Sequence, residues 1–526
     1  MGADSDRPPG PDPWSPRPST VRCPLPDSAP AWGWAAQLYA ARSSRSWGIG
    51  DLADLDALGR WAASLGAGFI LVNPLHAAAP TLSQHPSPYF PSTRRFRNPL
   101  YLRVEDVPGA GPQVEQAAKA GRALNDRRLI DRDAVFRIKL EALEGLWAAF
   151  AGDDAFDRFV DEQGDALQEW GVYCALAERH GGDWRRWPAE LRRPDRAAVR
   201  RAAGEGRDRV RFHQWLQWLV DEQLAAASKH VAVMHDLAVG FAPGGADAWA
   251  WQDLLAPGMA LGVPPDEFNT QGQVWGLPPF DPWKLRAVEY RPFVETIRAS
   301  VRHAGAIRID HALGLARMFW VPDGAPPSKG VYVRYPYADL LDVIAQESER
   351  AGSFVVGEDL GTSTPEILEA LASRRLLSYR LLWFEETPPS EFPAQAMAAV
   401  TTHDLPTVAG LWTGSDMRTQ QELGLKPNVE GWEELRDRLC SQLGLGADTP
   451  PRDVIVAVHR ALADAPSMLV AATLDDAVGV AERPNMPGTT DEWPNWSLAL
   501  PLPLEALMEH PLAGRLAEAL QRRGGR

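Results

Sequence analysis

Apolar residues along this chain follow two rhythms. In "GIGDLADLDALGRWAASLGAG", Leu52, Leu55, Leu58, Trp61, Ala62 and Leu65 recur at three- and four-residue intervals. That spacing predicts an amphipathic helix with Asp51 as its N-cap and Gly66 and Gly68 at its end. The second rhythm is a short apolar run that finishes on polar side chains. "FILVNPLH" follows the first helix in this way, and "WGWAAQLYAARS", where order begins, precedes it. "HVAVMHD", "AIRIDH", "SFVVGED", "LLSYRLLWFEE", "AMAAVTTHD" and "MLVAATLDD" continue the series. Helical stretches separate several of these runs. "YPYADLLDVIAQESERAG" puts Leu340, Leu341 and Ile344 on one face, and "TSTPEILEALASRR" offers Thr364 as N-cap with Pro365 in the first turn.

Strands that are apolar on both faces and alternate with amphipathic helices predict a parallel sheet. About eight such strands can be counted. The expected fold is therefore α/β, a closed (β/α)8 TIM barrel with helical and loop insertions, and an open doubly wound sheet is the alternative. Residues 1–30 are Pro-rich and aperiodic, which predicts a disordered tail. The catalytic barrel is expected over 31–526. Within it, the charged, helical stretch 104–229 reads as an insertion subdomain. Residues 240–292, rich in Pro, Gly and Trp, read as an active-site loop insertion.

In such a barrel the carboxyl ends of all strands meet on one rim, where active sites are built. Here that rim would gather Asp236, Arg308, Asp310, His311, Glu358, Asp359, His403 and Asp404 from four strands. Alternate residues share a face, so Arg308 and Asp310 point the same way. An Arg beside an Asp is expected to lower the carboxyl pKa, which suits a nucleophile. A second carboxyl group among like charges is expected to be raised, which suits a general acid. Alternation leaves open whether Glu358 or Asp359 faces the lumen. Several carboxylates with two His, an Arg and aromatic loops suggest glycosidic chemistry, in which two carboxyl groups flank the scissile bond, roughly 5 Å apart in retaining enzymes. Structural ion pairs also occupy strand ends, but four polar endings converging on one rim favour a site.

Composition narrows the field. The chain has 526 residues, 45% of them hydrophobic, enough for a large core. Its formal net charge is -15 with Lys and Arg scattered, so nucleic acid is a poor partner. Cys23, Cys174 and Cys440 are far apart and form no C-x-x-C pair, which argues against a disulfide framework or structural zinc. No apolar run approaches the roughly 20 residues that span a bilayer. The first residues carry no apolar signal-peptide core, and the expected location is the cytoplasm. An early H-x-H of a metal-dependent barrel is missing: His76 stands alone, and His235 beside Asp236 lacks a paired His. No G-x-G-x-x-G, P-loop or G-x-S-x-G occurs at a strand end. Most of the 21 Trp are expected to fill core, but Trp275 in "GQVWGLPPF" sits in a loop where an aromatic can serve a flat ligand.

Nine motifs then carry a resemblance: "SWGIGDL", "NPLH", "SPYFPSTRRFRNPLYL", "GVPPDEFNTQGQVWGLPPF", "RIDHALGL", "KGVYVRYP", "VVGEDLG", "TTHDLPT" and "NMPGTTDEWPNW". Together they resemble the amylomaltases (disproportionating enzymes, glycoside hydrolase family 77), 4-α-glucanotransferases of the α-amylase clan, from about Trp32 to Trp496. The resemblance implies transfer of α-1,4-glucan segments between maltodextrins by a retaining double displacement, with no metal and no cofactor. It implies Asp310 as nucleophile, Glu358 as general acid/base and Asp404 as transition-state stabiliser. Arg308, His311 and His403 would support the reacting sugar and the nucleophile, and Tyr89 would stack under that sugar. Asp236 and Asn485 resemble substrate-contacting positions, and Trp275 falls in the family's loop over acceptor sugars. The implied partners are glucan donor and acceptor, with neither nucleic acid nor membrane, and oligomeric state is left open. The chain reads "THDLPT" where many members read "THDNDT", as the bacterial maltodextrin-type branch does; it is expected to have no room for the extra N-terminal β-domain that this branch often carries, and it has "SLALPL" in place of the family's Arg-rich ending after "PNW". These differences bear on acceptor preference.

Overall fold

The computed structural model describes residues 19–27, 31–265, 272–361 and 363–521. Eight strands form one parallel sheet: β1 Ala31–Ala36, β2 Phe69–Val72, β3 Ala232–Leu237, β4 Ala306–Ile309, β5 Phe354–Gly357, β6 Ser378–Leu381, β7 Ala396–Ala399 and β8 Leu469–Thr473. Each neighbours the next in chain order, and β8 pairs with β1, Trp32 opposite Val470. The seam between β5 and β6 is joined at Val356 and Leu377, where Leu377 N donates to Val355 O at 2.9 Å and Gly357 N to Leu377 O at 2.8 Å. The sheet is thus closed, and the open alternative does not apply.

The lumen explains why the strands are apolar on both faces. Phe69, Leu71, Met234, Phe354, Val356, Leu381, Met397 and Leu469 fill it, and the opposite face packs on surrounding helices. Gly33 is required here. A Cβ at that position would lie 2.6 Å from the Phe69 ring, so only glycine lets Phe69 enter the barrel. The first helix, α1, runs Leu52–Ser64 and buries Leu52, Leu55, Leu58 and Ala62. Its N-cap Asp51 accepts from Ala53 N and Asp54 N, while the Asp54 side chain takes Asp51 N. Arg103 ties both carboxylates down, Nε to Asp51 at 2.6 Å and Nη2 to Asp54 at 2.8 Å, all three side chains being buried.

Between β2 and β3 lie a short antiparallel pair, His76–Ala77 with Thr93–Arg97, and helices Arg132–Ala148, Asp154–His180 and Arg207–Ala227. Lys139 anchors the first of these helices: buried, its Nζ donates to Leu100 O and Leu102 O at 2.7 Å each. Residues 128–132 of the same stretch pair with 496–499 beyond β8. Ile130 N donates to Ser497 O, and the Arg132 guanidinium reaches Trp496 O and Ser497 Oγ. Between β3 and β4 the chain forms Met259–Val263 and Gln273–Val274, which join Arg317–Pro322 and Val331–Arg334 in a four-stranded antiparallel sheet. The loop residues 266–271 lie outside the described residues. So do residues 1–18 and 28–30, most of the stretch expected to be a disordered tail. Residues 19–27 differ from that expectation. Val21, Cys23 and Leu25 alternate as a strand's inner face does, Cys23 is buried, and its N donates to Arg374 O at 2.8 Å.

The Asp51 cluster gives a stability test. Asp51→Ala removes a helix cap and leaves buried Arg103 with one carboxylate instead of two. The expected cost is about 3 kcal/mol or more, read as a fall of several degrees in thermal unfolding; an unchanged midpoint would contradict the cluster's role.

Candidate active site

Two-residue alternation up the lumen delivers the polar groups. Phe354 and Val356 face inward, so the next inward position on β5 is Glu358, and Asp359 turns away. Asp359 is buried behind β6, accepting from Tyr379 N at 2.9 Å. On β4, Ala306 in the lumen is followed by Arg308 and Asp310; on β3, Met234 is followed by Asp236.

A single nitrogen joins three of these residues. Arg308 Nη1 donates to both oxygens of Asp236, at 2.7 and 2.9 Å, and to Asp310 Oδ1 at 3.1 Å. Arg308 and Asp236 are 4% exposed, and Asp310 is 21% exposed toward the cleft. Tyr89 continues the network, its hydroxyl donating to Asp236 Oδ2 at 2.6 Å and meeting His403 Nδ1 at 3.3 Å. Its ring packs against His403 and Trp496, centroids 4.9 and 5.2 Å away. His403 Nε2 lies 3.2 Å from Asp404 Oδ2, and Asn485 Nδ2 donates to Asp404 Oδ1 at 2.7 Å. On the other flank, Glu358 accepts from His311 N at 3.0 Å and Leu360 N at 2.8 Å. His311 reaches that position through a left-handed turn (φ 50°) immediately after Asp310, and the Trp275 ring stands edge-on to it at 5.5 Å. All ten residues nominated from the sequence therefore fall within one connected set of contacts.

Three carboxyl groups in this set are shifted in two directions. Burial pushes Asp310 up to about 6; Arg308 pulls it down, while Asp236 and Glu358 push it further up. The expectation that Arg308 would lower Asp310 below the usual range is therefore overturned by burial. Glu358 is also raised, first by burial, against the pull of Arg308 and its two backbone donors. Asp404 goes the other way. Burial would raise it, but His403 and Asn485 hold it down to about 2, and its side chain is nearly half open to the cleft. Its partner His403 is raised despite burial, by Asp404. His311 is lowered by burial, with Asp310 opposing, which keeps its imidazole neutral at neutral pH.

Sequence reasoning nominated His403 and Asn485 but missed Arg483 and Trp496, which support the loop that carries Asp404. Strand β7 ends at Ala399, so Asp404 stands on a loop. Arg483 fixes that loop: buried and paired with Asp416, it donates through Nη1 to Asp404 O at 2.8 Å. Asn485 N donates to His403 O, and Trp496 N to Pro484 O. The signal available was position: Arg483 lies two residues before Asn485, and Trp496 ends the motif "NMPGTTDEWPNW". A small pocket lies beside Asp236, Arg308 and His403.

Comparison with known proteins adds an independent line. A family model described as 4-alpha-glucanotransferase matches residues 36–503. A 4-alpha-glucanotransferase of Mycobacterium tuberculosis strain H37Rv is 44% identical, with 93% of this chain and 75% of that protein covered. One of Haemophilus influenzae is 30% identical, with 91% and 77% covered. The crystal structure of amylomaltase from Corynebacterium glutamicum superposes with a TM-score of 0.82 at 36% identity, covering 93% of this chain and 75% of that one. An amylomaltase from Streptococcus agalactiae in complex with acarbose shares the fold, with a TM-score of 0.77 at 16% identity and 94% and 99% covered.

The balance at Asp310 can be measured. Arg308 is the strongest downward influence on its pKa, so Arg308→Gln should move Asp310 above about 6 and reduce its ionised fraction at pH 7. Carboxyl ¹³C titration of Asp-labelled protein reads the shift; a lowered or unmoved value would contradict the network.

Proposed function

The chain belongs to the 4-alpha-glucanotransferase family, and on that premise we propose that it transfers α-1,4-glucan segments between maltodextrins by a retaining double displacement. The observation that carries the reading is the set of three carboxyl groups brought to one rim, two of them raised by burial and the third held down by His403 and Asn485. Asp310, ionised above about pH 6, attacks the anomeric carbon and forms a covalent glycosyl-enzyme. Glu358, raised by burial, gives its proton to the leaving 4-oxygen. Esterification removes the Asp310 charge, and with it one influence that keeps Glu358 protonated. Glu358 then serves as base for the incoming sugar hydroxyl, whose attack releases Asp310 and restores both groups. Asp404, held ionised by His403 and Asn485, accepts hydrogen bonds from hydroxyls of the reacting sugar.

The remaining nominated residues position these three. Arg308 with Asp236 orients Asp310, Tyr89 and His403 brace the ring of the reacting sugar, and His311 presents its backbone N–H to Glu358. Trp275, leaning on His311, covers the side where an acceptor sugar must displace water. The partners are glucan donors and acceptors. A cytoplasmic location belongs to this proposal; the three cysteines are unpaired, and among the described residues no helix is long and apolar enough to cross a membrane.

Incubation with maltotriose separates this reading from its rivals. Transfer yields glucose together with chains longer than maltotriose. Glucose and maltose without longer chains would mean a hydrolase, and an unchanged substrate that still binds would mean a binding protein. Asp310→Asn should lower turnover by roughly a thousandfold or more. The rate should fall as pH drops through about 6, because the nucleophile takes up its proton there.

A further inference from the structure

One of the polar strand endings has no part in the reaction derived above. Asp359 follows Glu358 directly, turns away from the lumen and is buried. Its Oδ1 accepts from Tyr379 N at 2.9 Å, and Arg380 Nη1 stands 3.7 Å from the same oxygen. The turn that delivers Glu358 to the cleft therefore also fastens strand β6 at Tyr379. On β6, Tyr379 and Leu381 point into the lumen, and both are buried there. The Tyr379 ring lies against Arg308, with the guanidinium carbon 5.7 Å from the ring centroid.

Arg308 needs such a support. Among the described residues, every hydrogen bond of its guanidinium leaves from Nη1, toward Asp236 and Asp310. A planar cation held through one nitrogen keeps freedom to rock about it. Rocking first lengthens the single 3.1 Å contact to Asp310, since Asp236 is held through two oxygens. An aromatic face within about 6 Å attracts a cation, most strongly away from water, and so restricts that motion. The ring also stays uncharged: burial pushes the Tyr379 hydroxyl up to about 12, against the pull of Arg308. We propose that Tyr379 is a positioning residue for Asp310: its ring seats the Arg308 guanidinium, and Asp359 holds that ring in place through the backbone of β6. The proposal rests on the reading of Asp310 as nucleophile.

The test uses the full chain with Tyr379→Phe as reference, which keeps the ring and drops the hydroxyl. Phenylalanines carrying one, two or three ring fluorines, placed at position 379 by nonsense suppression, then drain the π face with little change of shape. The Asp310 midpoint, read by carboxyl ¹³C titration and as the acid limb of the rate profile, should rise stepwise by about half a pH unit. With that shift, kcat for maltotriose at pH 6 should fall about twofold while KM holds. Asp359→Asn keeps an acceptor for Tyr379 N and should retain the reference midpoint, whereas Asp359→Val removes it and should raise the midpoint. A midpoint that stays or falls across the fluorinated series overturns the proposal, and so does a lowered melting temperature with an unmoved midpoint, which would mean packing alone. The fluorinated series decides the matter even where Asp359→Val does not fold. Absence of transfer products with the unsubstituted protein would instead overturn the underlying function, and the ¹³C titration would still read the contact.

Discussion

One guanidinium nitrogen governs the chemistry of this barrel. Arg308 Nη1 lies at the top of the lumen with almost no access to solvent and answers to two carboxylates at once. A buried cation without partners would be prohibitively costly, and two buried carboxylates without a cation equally so. Three charges with one shared nitrogen settle the conflict unevenly. Asp236 takes both short contacts and is enclosed; Asp310 takes the longer one and keeps an opening to the cleft. Asp310 is thus less tightly held; burial carries it up to about 6 against the pull of Arg308, whereas His403 and Asn485 hold Asp404 down.

The barrel could be read from the chain because its strands are short, apolar on both faces and punctuated by polar endings. The same alternation, followed through Phe354 and Val356, distinguishes Glu358 from Asp359, but only once the inward face of β5 is known. The sequence neighbourhood of Arg308 and Asp310 suggested a depressed carboxyl pKa, since adjacency shows the favourable charge but not the depth of burial that outweighs it. The part of Asp404's support that comes from Arg483 was illegible for another reason. Arg483 meets Asp416 across 67 positions of chain, and nothing in either segment marks the other.

The tryptophans divide along similar lines. Trp34, Trp47, Trp187, Trp215 and Trp249 are fully buried in the core between the barrel and its surrounding helices. Trp275 and Trp496 lie at the rim, and only the first announced itself, through its Pro- and Gly-rich surroundings. Trp496 sits in a left-handed backbone conformation (φ 60°) and packs against both Tyr89 and His403. It owes its place to tertiary contacts that a single sequence does not display.

One of those contacts comes from far outside the barrel. Arg132, at the start of a helix in the long excursion between β2 and β3, reaches across to Trp496 O and Ser497 Oγ, while Trp496 leans on the histidine that pairs with Asp404. The excursion is thus a buttress of the rim as well as a separate block of helices. The helix that begins at Arg132 therefore cannot be trimmed, re-registered or exchanged for a relative's without also editing the active site.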